Sequence, residues 1–475
     1  MRTALGGIRL AYLPVLATYF AYGASTITGV ALVFLQKEEL KLSPADVADV
    51  GFWSTLPWSM KMVVGAASDV HPLFGSRRTS YLLLGVATTA LGYVALATVV
   101  TTKATYLLAT VCVATGFMIQ DVIADALSVQ VAETGEEVAQ VQTLGRMALL
   151  AGMISVGYLG GVLAARVGPR GVMAVALVLP ALVAAAALLV RGGREPAAPP
   201  PAGARLGGAS PGLVIGVGLG YALLGVALNL LAAPGAQEIV LVVSAVLLIL
   251  LLRRVGITRA VAVAAFVVFV FRATPSVGQG YGYWAIDELG FDQEFLGVLA
   301  QVGAVVSLVG LVVFRKQVVK APVSATLFWV TIAGAVFLLP NIGLFYGLAE
   351  ALGVTPRTIA VVDTTISAPL GQLMMVPMLT LIAKIAPKGA EATMFAIMAS
   401  LMNLALSASE LFTRWLNDAF AVTQRDYSNL GLLMITVCVL SLTPLLVLPG
   451  LRRMERAADA GSRPPPTLTR REMRH

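Results

Sequence analysis

The chain has 475 residues, of which 58% are hydrophobic and 12% are charged, and its net charge is +8. Soluble globular proteins carry about 25% charged residues, so the composition excludes a soluble enzyme, a secreted disulfide scaffold and a disordered chain. Two cysteines and two histidines offer neither a disulfide framework nor a histidine metal cluster. The sequence therefore predicts an all-α polytopic membrane protein that is not an enzyme and holds no metal or cofactor.

Apolar segments follow one another along the chain, and each is long enough to cross a hydrocarbon core of about 30 Å as a helix. Fourteen such spans are predicted, at residues 10–35, 46–68, 79–101, 104–131, 138–165, 169–190, 211–233, 236–252, 258–286, 293–314, 321–347, 356–385, 390–418 and 429–450. An even number of spans places both termini on the same side of the membrane.

The basic residues are distributed unequally between the two sides. Of the 33 Lys and Arg residues, 22 fall on the side of both termini, seven on the opposite side and four within spans. Cytoplasmic loops carry an excess of Lys and Arg, so we expect both termini in the cytoplasm and the chain in the inner or plasma membrane. Because the excess charge lies in these loops and in the tail, we expect no nucleic-acid partner.

The order of spans and loops divides the chain into two copies of one plan. Residues 1–190 are predicted to form an N-terminal six-helix bundle and residues 254–451 a C-terminal one. The Pro-, Gly- and Ala-rich residues 191–210 predict a cytoplasmic linker, residues 211–253 an inserted transmembrane hairpin, and residues 452–475 a basic cytoplasmic tail. Two six-helix repeats are typical of major facilitator-type secondary transporters, whose site lies at mid-membrane between the repeats.

Several charged residues lie where charge costs about 2.5–3.5 kcal/mol at a helix centre. Asp121 and Asp125 are one helical turn apart and share a face, which predicts a site for substrate or protons, or ion pairs with Arg146 on the next span. Arg272 lies about 20 Å into its span at 1.5 Å per residue, and Pro275 then interrupts the helix. A buried cation beside an interrupted helix indicates a binding site; the alternative is that Arg272 pairs with Asp121 or Asp125.

Other polar residues in the spans are weaker candidates. Lys61 follows a proline and a tryptophan, and it either binds substrate or extends its ammonium toward the cytoplasm. Glu410 and Arg414 are one turn apart near the outer end of their span, which favours a salt bridge at the interface. The remaining candidates are uncharged, and each is equally suited to one interhelical hydrogen bond: Tyr22, Gln120, Gln279, Gln372 and Asn403.

The loop GAASDVHPLFGSRR follows the second span. It resembles, with a longer middle, the loop between the second and third helices of the major facilitator superfamily. An acid at a helix end, a glycine turn and two cations are suited to closing a cytoplasmic gate by charge pairing. Asp69, Arg77 and Arg78 are therefore predicted to act in gating.

Four further segments resemble a narrower family. Residues 42–85, QDVIADAL (120–127), residues 273–297 and APKGAEATMFAIMASLMN (386–403) are similar to the second, fourth, seventh and eleventh helices of the folate-biopterin transporter (BT1) family. The resemblance implies proton-linked movement of folates or pterins and suggests roles for Lys61, Asp69, Asp121, Asp125, Arg272 and Glu391. The hairpin and the LPW…K and QD…D motifs also resemble fourteen-helix muropeptide permeases, so a permease for peptidoglycan fragments is the alternative.

These observations together predict a proton-coupled, alternating-access transporter of an organic anion. A guanidinium stays charged at any working pH, so Arg272 needs an anion opposite it in every state. A substrate anion at Arg272 would free Asp121 to take up a proton, with Asp125 and Arg146 as secondary coupling groups. The partners are then substrate, protons and the lipid bilayer, and we expect a monomer. No GxxxxGK[ST] motif is present for ATP-driven transport, and a membrane enzyme or scaffold is the alternative from another class.

Overall fold

The computed structural model describes residues 9–132, 134–190, 211–255, 258–385 and 391–462. Within these stretches the regular structure is helical, and an isolated bridge joins Leu73 to Ser76. Eleven helical segments are long and apolar enough to cross a membrane. The prediction of an all-α membrane protein is therefore confirmed. The predicted linker and most of the predicted tail lie outside the described residues.

The first half of the described chain is built from helices that we label α1 to α6. They are α1 (Leu10–Glu39), α2 (residues 44–70), α3 (Thr79–Thr98), α4 (Lys103–Val131), α5 (residues 135–167) and α6 (residues 169–190). Several of these depart from regular α-geometry, and α1 itself contains 3-10 turns at Leu10–Tyr12 and Ser25–Thr28 and a π-turn at Leu35–Glu39. In α2, a 3-10 turn at Leu56–Met60 separates Pro44–Thr55 from Lys61–Val70. In the α5–α6 stretch, Gly168 with a φ of 73° ends one helix before Pro169 begins the next, and a turn at Leu177 then separates Ala176 from Val178.

The hairpin and the second half contribute α7 to α14. They are α7 (Pro211–Leu230), α8 (Ala236–Val255), α9 (Arg259–Arg272 and Gly280–Asp287), α10 (Gln293–Lys320), α11 (Val323–Val336 and Leu339–Phe345), α12 (Pro356–Ile385), α13 (Glu391–Ala419) and α14 (Leu430–Leu440, Thr443–Val447 and Leu448–Ser462). The eleven long apolar segments count α5 and α6 together and omit the interrupted α2 and α9. Fourteen spans remain a prediction.

The loops fall on two faces of the molecule. The face where α1 begins, here called the N-terminal face, is held by the ion pair of Arg9 with Glu137 at 2.7 Å. The opposite face joins the far ends of the helices through ion pairs: Lys103–Asp46 at 2.8 Å, Arg170–Glu39 at 2.7 Å and Arg357–Asp292 at 2.7 Å. The Phe295 N–H and the Arg357 guanidinium lower the pKa of Asp292 in its loop. Successive loops thus alternate between the two faces, in the order that the predicted spans require.

Small residues let helices approach closely inside and between the halves. A Cβ on Gly116 of α4 would lie 2.2 Å from Thr89 Oγ1 of α3, so this contact depends on the missing side chain. Between the halves, a Cβ on Gly161 of α5 would lie 2.7 Å from Gly297 Cα of α10. Close backbone approach at small residues is the usual way in which membrane helices pack.

The hairpin lies beside α2 and α13. Gln237 at the start of α8 donates to Asp49 Oδ1 of α2 at 2.8 Å and accepts from Arg414 of α13 at 2.8 Å. The hydroxyls of Tyr221 and Ser244 join α7 to α8. The hairpin therefore contacts helices of both halves.

We expect chemical labelling to test the sidedness. In a background with Cys112→Ala and Cys438→Ala, single cysteines at Ser76→Cys and Arg254→Cys should react with a membrane-impermeant maleimide only from the cytoplasm. Cysteines at Lys41→Cys and Asp292→Cys should react only from outside, because their loops lie on the opposite face. Labelling of Ser76→Cys and Arg254→Cys from different sides would contradict the even number of predicted spans between them.

Candidate functional site

The interruption of α2 positions the first functional side chain. Pro57 has no N–H and clashes with a preceding helical carbonyl, and the helix tightens into the 3-10 turn Leu56–Met60 at this point. The amide of Asn403 on α13 donates to the Trp58 carbonyl at 3.0 Å. A side chain from the second half thus forms a hydrogen bond with the backbone of this irregular turn, and Lys61 begins the next helical segment.

Lys61 and Asp121 form an ion pair between α2 and α4. The Lys61 Nζ lies 2.5 Å from Asp121 Oδ2, and the two side chains are 31% and 14% exposed. The ammonium also lies 4.9 Å from the centre of the Trp58 ring, a cation–π arrangement. Lys61 is therefore directed to an acid within the bundle, and the expectation that its ammonium extends toward the cytoplasm is wrong.

Aromatic rings lie beside this ion pair. The ring of Tyr22 on α1 lies 5.4 Å from that of Trp58 and 5.5 Å from that of Phe117 on α4. Aromatic faces at this spacing offer apolar surface with a polar edge. The cluster of Tyr22, Trp58 and Phe117, here called the aromatic cluster, places flat apolar surface next to a cation and a carboxylate.

Asp125 is bound by neutral donors. The Tyr19 hydroxyl of α1 donates to Asp125, and Gln142 Nε2 of α5 lies 3.4 Å from the same carboxylate oxygen. The predicted ion pair of Asp125 with Arg146 is wrong, because Tyr19 and Gln142 hold the carboxylate instead. Arg146 is exposed on α5. Gln142 was missed, although it lies one turn before Arg146 on the same helix.

Arg272 ends the first part of α9 in the second half. Among the described residues it makes no ion pair, and its Nε is buried without a hydrogen-bond partner. The predicted pairing of Arg272 with Asp121 or Asp125 is wrong, because Lys61 and Tyr19 already bind those acids. The second half therefore holds a half-buried cation that lacks a counter-ion among the described residues.

Side chains of α13 form hydrogen bonds with the non-helical backbone that follows Arg272. Three side chains at intervals of four residues make these contacts: Ser409 Oγ donates to Thr274 O at 2.7 Å, Thr413 Oγ1 accepts from Ser276 N at 3.0 Å, and Asn417 Nδ2 donates to Val277 O at 3.2 Å. Irregular backbone at membrane depth requires such internal partners. The polar stripe at positions 409, 413 and 417 is visible in the sequence and was missed.

Several predicted site residues lie elsewhere. Gln120 is buried between α3 and α4, where its amide donates to Thr89 Oγ1 at 2.8 Å, so its observed contacts are packing contacts inside the first half. Gln279 lies half-buried just before the second part of α9. The side chains of Gln372 and Glu391 lie outside the described residues.

The predicted salt bridge between Glu410 and Arg414 is also wrong. Glu410 packs against α2 where Gly51 has no side chain; a Cβ there would lie 2.8 Å from the Glu410 carboxylate. Arg414 instead lies 3.5 Å from Asp49 of α2 and 3.6 Å from Asp418 on its own helix. Arg414 therefore forms ion pairs with Asp49 and Asp418 instead of Glu410.

Ion pairs across the opposite face join the two halves. The Lys37 Nζ of α1 lies 2.7 Å from Asp287 Oδ1 at the end of α9, and the lysine is only 6% exposed. The Tyr427 hydroxyl donates to the other oxygen of Asp287 at 2.6 Å. Together with the contact of Asp49 with Arg414, these interactions close the opposite face between α1, α2, α9 and α13.

The loop predicted to be a gate forms its own ion pair. Arg78 contacts Asp69 at 2.6 Å and donates to Ser68 Oγ at 2.7 Å, so the start of α3 is tied to the end of α2. Gly75 turns the chain between them with φ +77°, a conformation that glycine adopts without strain. Of the two predicted cations, Arg78 is the observed partner of Asp69.

Comparison with solved structures shows which fold the chain has. The fold is similar to that of a POT family transporter in complex with 5-aminolevulinic acid, with a TM-score of 0.69 at 12% identity over 93% of this chain and 96% of that one. It is also similar to the nucleoside transporter NupG, with a TM-score of 0.64 at 11% identity over 93% and 98% of the two chains. The chain therefore shares the helical fold of these solved transporters.

The sequence comparison defines the family. The BT1 family model matches residues 23–464, and the chain belongs to the BT1 family. Similar relatives include a folate-biopterin transporter of Synechocystis, 29% identical over 91% of this chain and 80% of the relative. Folate transporter 1 of Plasmodium falciparum is 21% identical over 90% and 76% of the two chains. The protein is thus a membrane transporter and not an enzyme, which confirms both predictions.

We expect Asp69→Asn to slow transport severalfold while equilibrium binding of substrate stays within about threefold. The substitution removes the partner of Arg78 at the N-terminal face, away from the aromatic cluster, so it should change a rate of conformational exchange. Initial uptake into proteoliposomes and equilibrium binding to purified protein measure the two effects. Asp363→Asn, in the second half, is the matched control. A loss of affinity larger than the loss of rate would assign Asp69 to binding.

Proposed function

We propose that this protein is a proton-coupled, alternating-access transporter of a folate- or pterin-like organic anion. The observation that carries the proposal is the ion pair of Lys61 with Asp121 beside the aromatic cluster. Relatives named as folate and folate-biopterin transporters support the substrate class. No contact in the described residues favours a peptidoglycan fragment over a folate.

The chemistry of the site suits such a substrate. A pterin ring is flat and aromatic, and the faces of Tyr22 and Trp58 offer stacking surface of that kind. Folate also carries two carboxylates. Lys61 is 31% exposed and is suited to receive one of them. The guanidinium of Arg272, which has no ion-pair partner among the described residues, is suited to receive an anionic group from the side of the second half.

In this proposal, proton uptake is coupled to substrate binding because the substrate carboxylate and Asp121 compete for Lys61. In the observed arrangement the ammonium neutralises Asp121. When a substrate carboxylate binds Lys61, Asp121 loses its cation inside the bundle, and an uncompensated buried charge costs several kcal/mol. Uptake of one proton by Asp121 removes that cost, so proton and anion are carried together. This scheme replaces the one in which Arg272 neutralises Asp121.

The contacts across the opposite face support alternating access. Lys37 with Asp287 and Asp49 with Arg414 hold the two halves together on that face. We propose that this arrangement is the state open toward the N-terminal face, and that these pairs separate when the opposite face opens. Interfaces built from a few ion pairs are typical of such two-state rearrangements.

We expect Asp121→Asn to separate binding from coupling. The amide keeps the size of the carboxylate but binds no proton, so counterflow of labelled folate in proteoliposomes should remain within a few-fold of wild type. Net accumulation should no longer respond to an inward proton gradient, whereas Asp363→Asn should respond as wild type does. If uptake by Asp121→Asn still doubles or more under the gradient, the coupling scheme is wrong; if the wild type takes up no folate, the substrate class is wrong.

A further inference from the structure

An apolar groove runs between the two helices of the hairpin. It has a volume of about 480 Å³ and is lined by α7 from Leu213 to Tyr221, by α8 from Ser244 to Arg254 and by α2 from Ser59 to Val63. The contact of Tyr221 with Ser244 closes it at mid-helix. We call this cavity the hairpin groove. It lies outside the aromatic cluster, and none of its lining residues is proposed to bind substrate or protons.

The length of the hairpin groove matches one leaflet of a bilayer. Ser244 and Arg254 are ten residues apart on α8, which corresponds to about 15 Å at 1.5 Å per residue. That distance is about half of a hydrocarbon core of ~30 Å. Between these ends the walls are aliphatic, and Val217 and Leu250 are 43% and 50% exposed. The groove thus has the length and polarity of a lipid acyl chain in one leaflet.

The mouth of the groove carries positive charge. Arg253 and Arg254 lie in the last turn of α8 on the N-terminal face, both are exposed, and neither forms an ion pair with another described residue. Guanidinium groups bind phosphate through paired hydrogen bonds, and basic pockets between helices on the cytoplasmic side bind anionic headgroups. We propose that the hairpin groove binds one anionic phospholipid, with its phosphate on Arg253 and Arg254 and an acyl chain between α7 and α8.

The bound lipid would contact the back of the transport site. Met60 and Met62 of α2 line the groove, while Lys61 between them extends to Asp121. An acyl chain in the groove therefore packs against the same helical turn that presents Lys61. Its loss should leave this turn without support on one side and slow transport.

Native mass spectrometry of the purified full chain tests the site. Phosphatidylglycerol should bind at least about tenfold more tightly than phosphatidylcholine with the same acyl chains, because only the first has a net charge. Arg253→Gln with Arg254→Gln should reduce its affinity to the level of phosphatidylcholine. Arg452→Gln with Arg453→Gln, two exposed arginines in α14, should leave it unchanged. Equal binding of the two lipids by wild type would overturn the proposal.

A second variant tests the acyl-chain part without changing charge. Val217→Trp fills the groove and should displace phosphatidylglycerol, whereas Val226→Trp, at a 56% exposed position on the same helix outside the groove, should not. Folate uptake should slow in Val217→Trp and in the Arg253/Arg254 variant but not in either control. Phosphatidylglycerol binding that survives both groove variants would show that the lipid binds elsewhere.

Discussion

The ion pair between Lys61 and Asp121 fixes how α2 and α4 face each other at the centre of the first half. Pro57 interrupts α2 one turn earlier, and the Trp58 ring covers the ammonium. Opposite unit charges 4 Å apart attract by about 4 kcal/mol at an effective dielectric constant of 20, and each charge alone would carry a desolvation cost. The pair is therefore stable when intact and sensitive to any anion that approaches Lys61. That combination is what a coupled carrier requires.

One helix of the second half supports both interruptions of the membrane helices. On α13, Asn403 binds the free carbonyl of Trp58 in α2, and the stripe that begins at Ser409 binds the irregular backbone of α9 after Arg272. The segments that present Lys61 and Arg272 are thus tied to the same element. A movement of α13 would be transmitted to both cations, which are the two groups proposed to meet the substrate.

The sequence was sufficient for the helical class, for the interruption at Pro275 and for the unusual position of the charges. It did not predict which charges meet. A membrane helix that is apolar all round carries little information about its facing side, so the sequence pointed to Arg146 and Arg272 as partners of the acids on α4 and not to Lys61. The Glu410–Arg414 prediction failed for a related reason, because spacing along one helix ignores Asp49 on another. Gly51 of α2 leaves space for the Glu410 side chain of α13. This role of the glycine can be recognised only from the packing of the two helices.

The number of protons taken up when folate binds is the most direct test of the competition for Lys61. Binding calorimetry on the purified protein, in buffers that differ in ionisation enthalpy, measures this number without any transport step. We expect close to one proton per folate for the wild type and none for Asp121→Asn, with folate bound in both cases. Folate binding to the wild type without proton uptake, or equal uptake by Asp121→Asn, would contradict the proposal that substrate displaces Asp121 from Lys61.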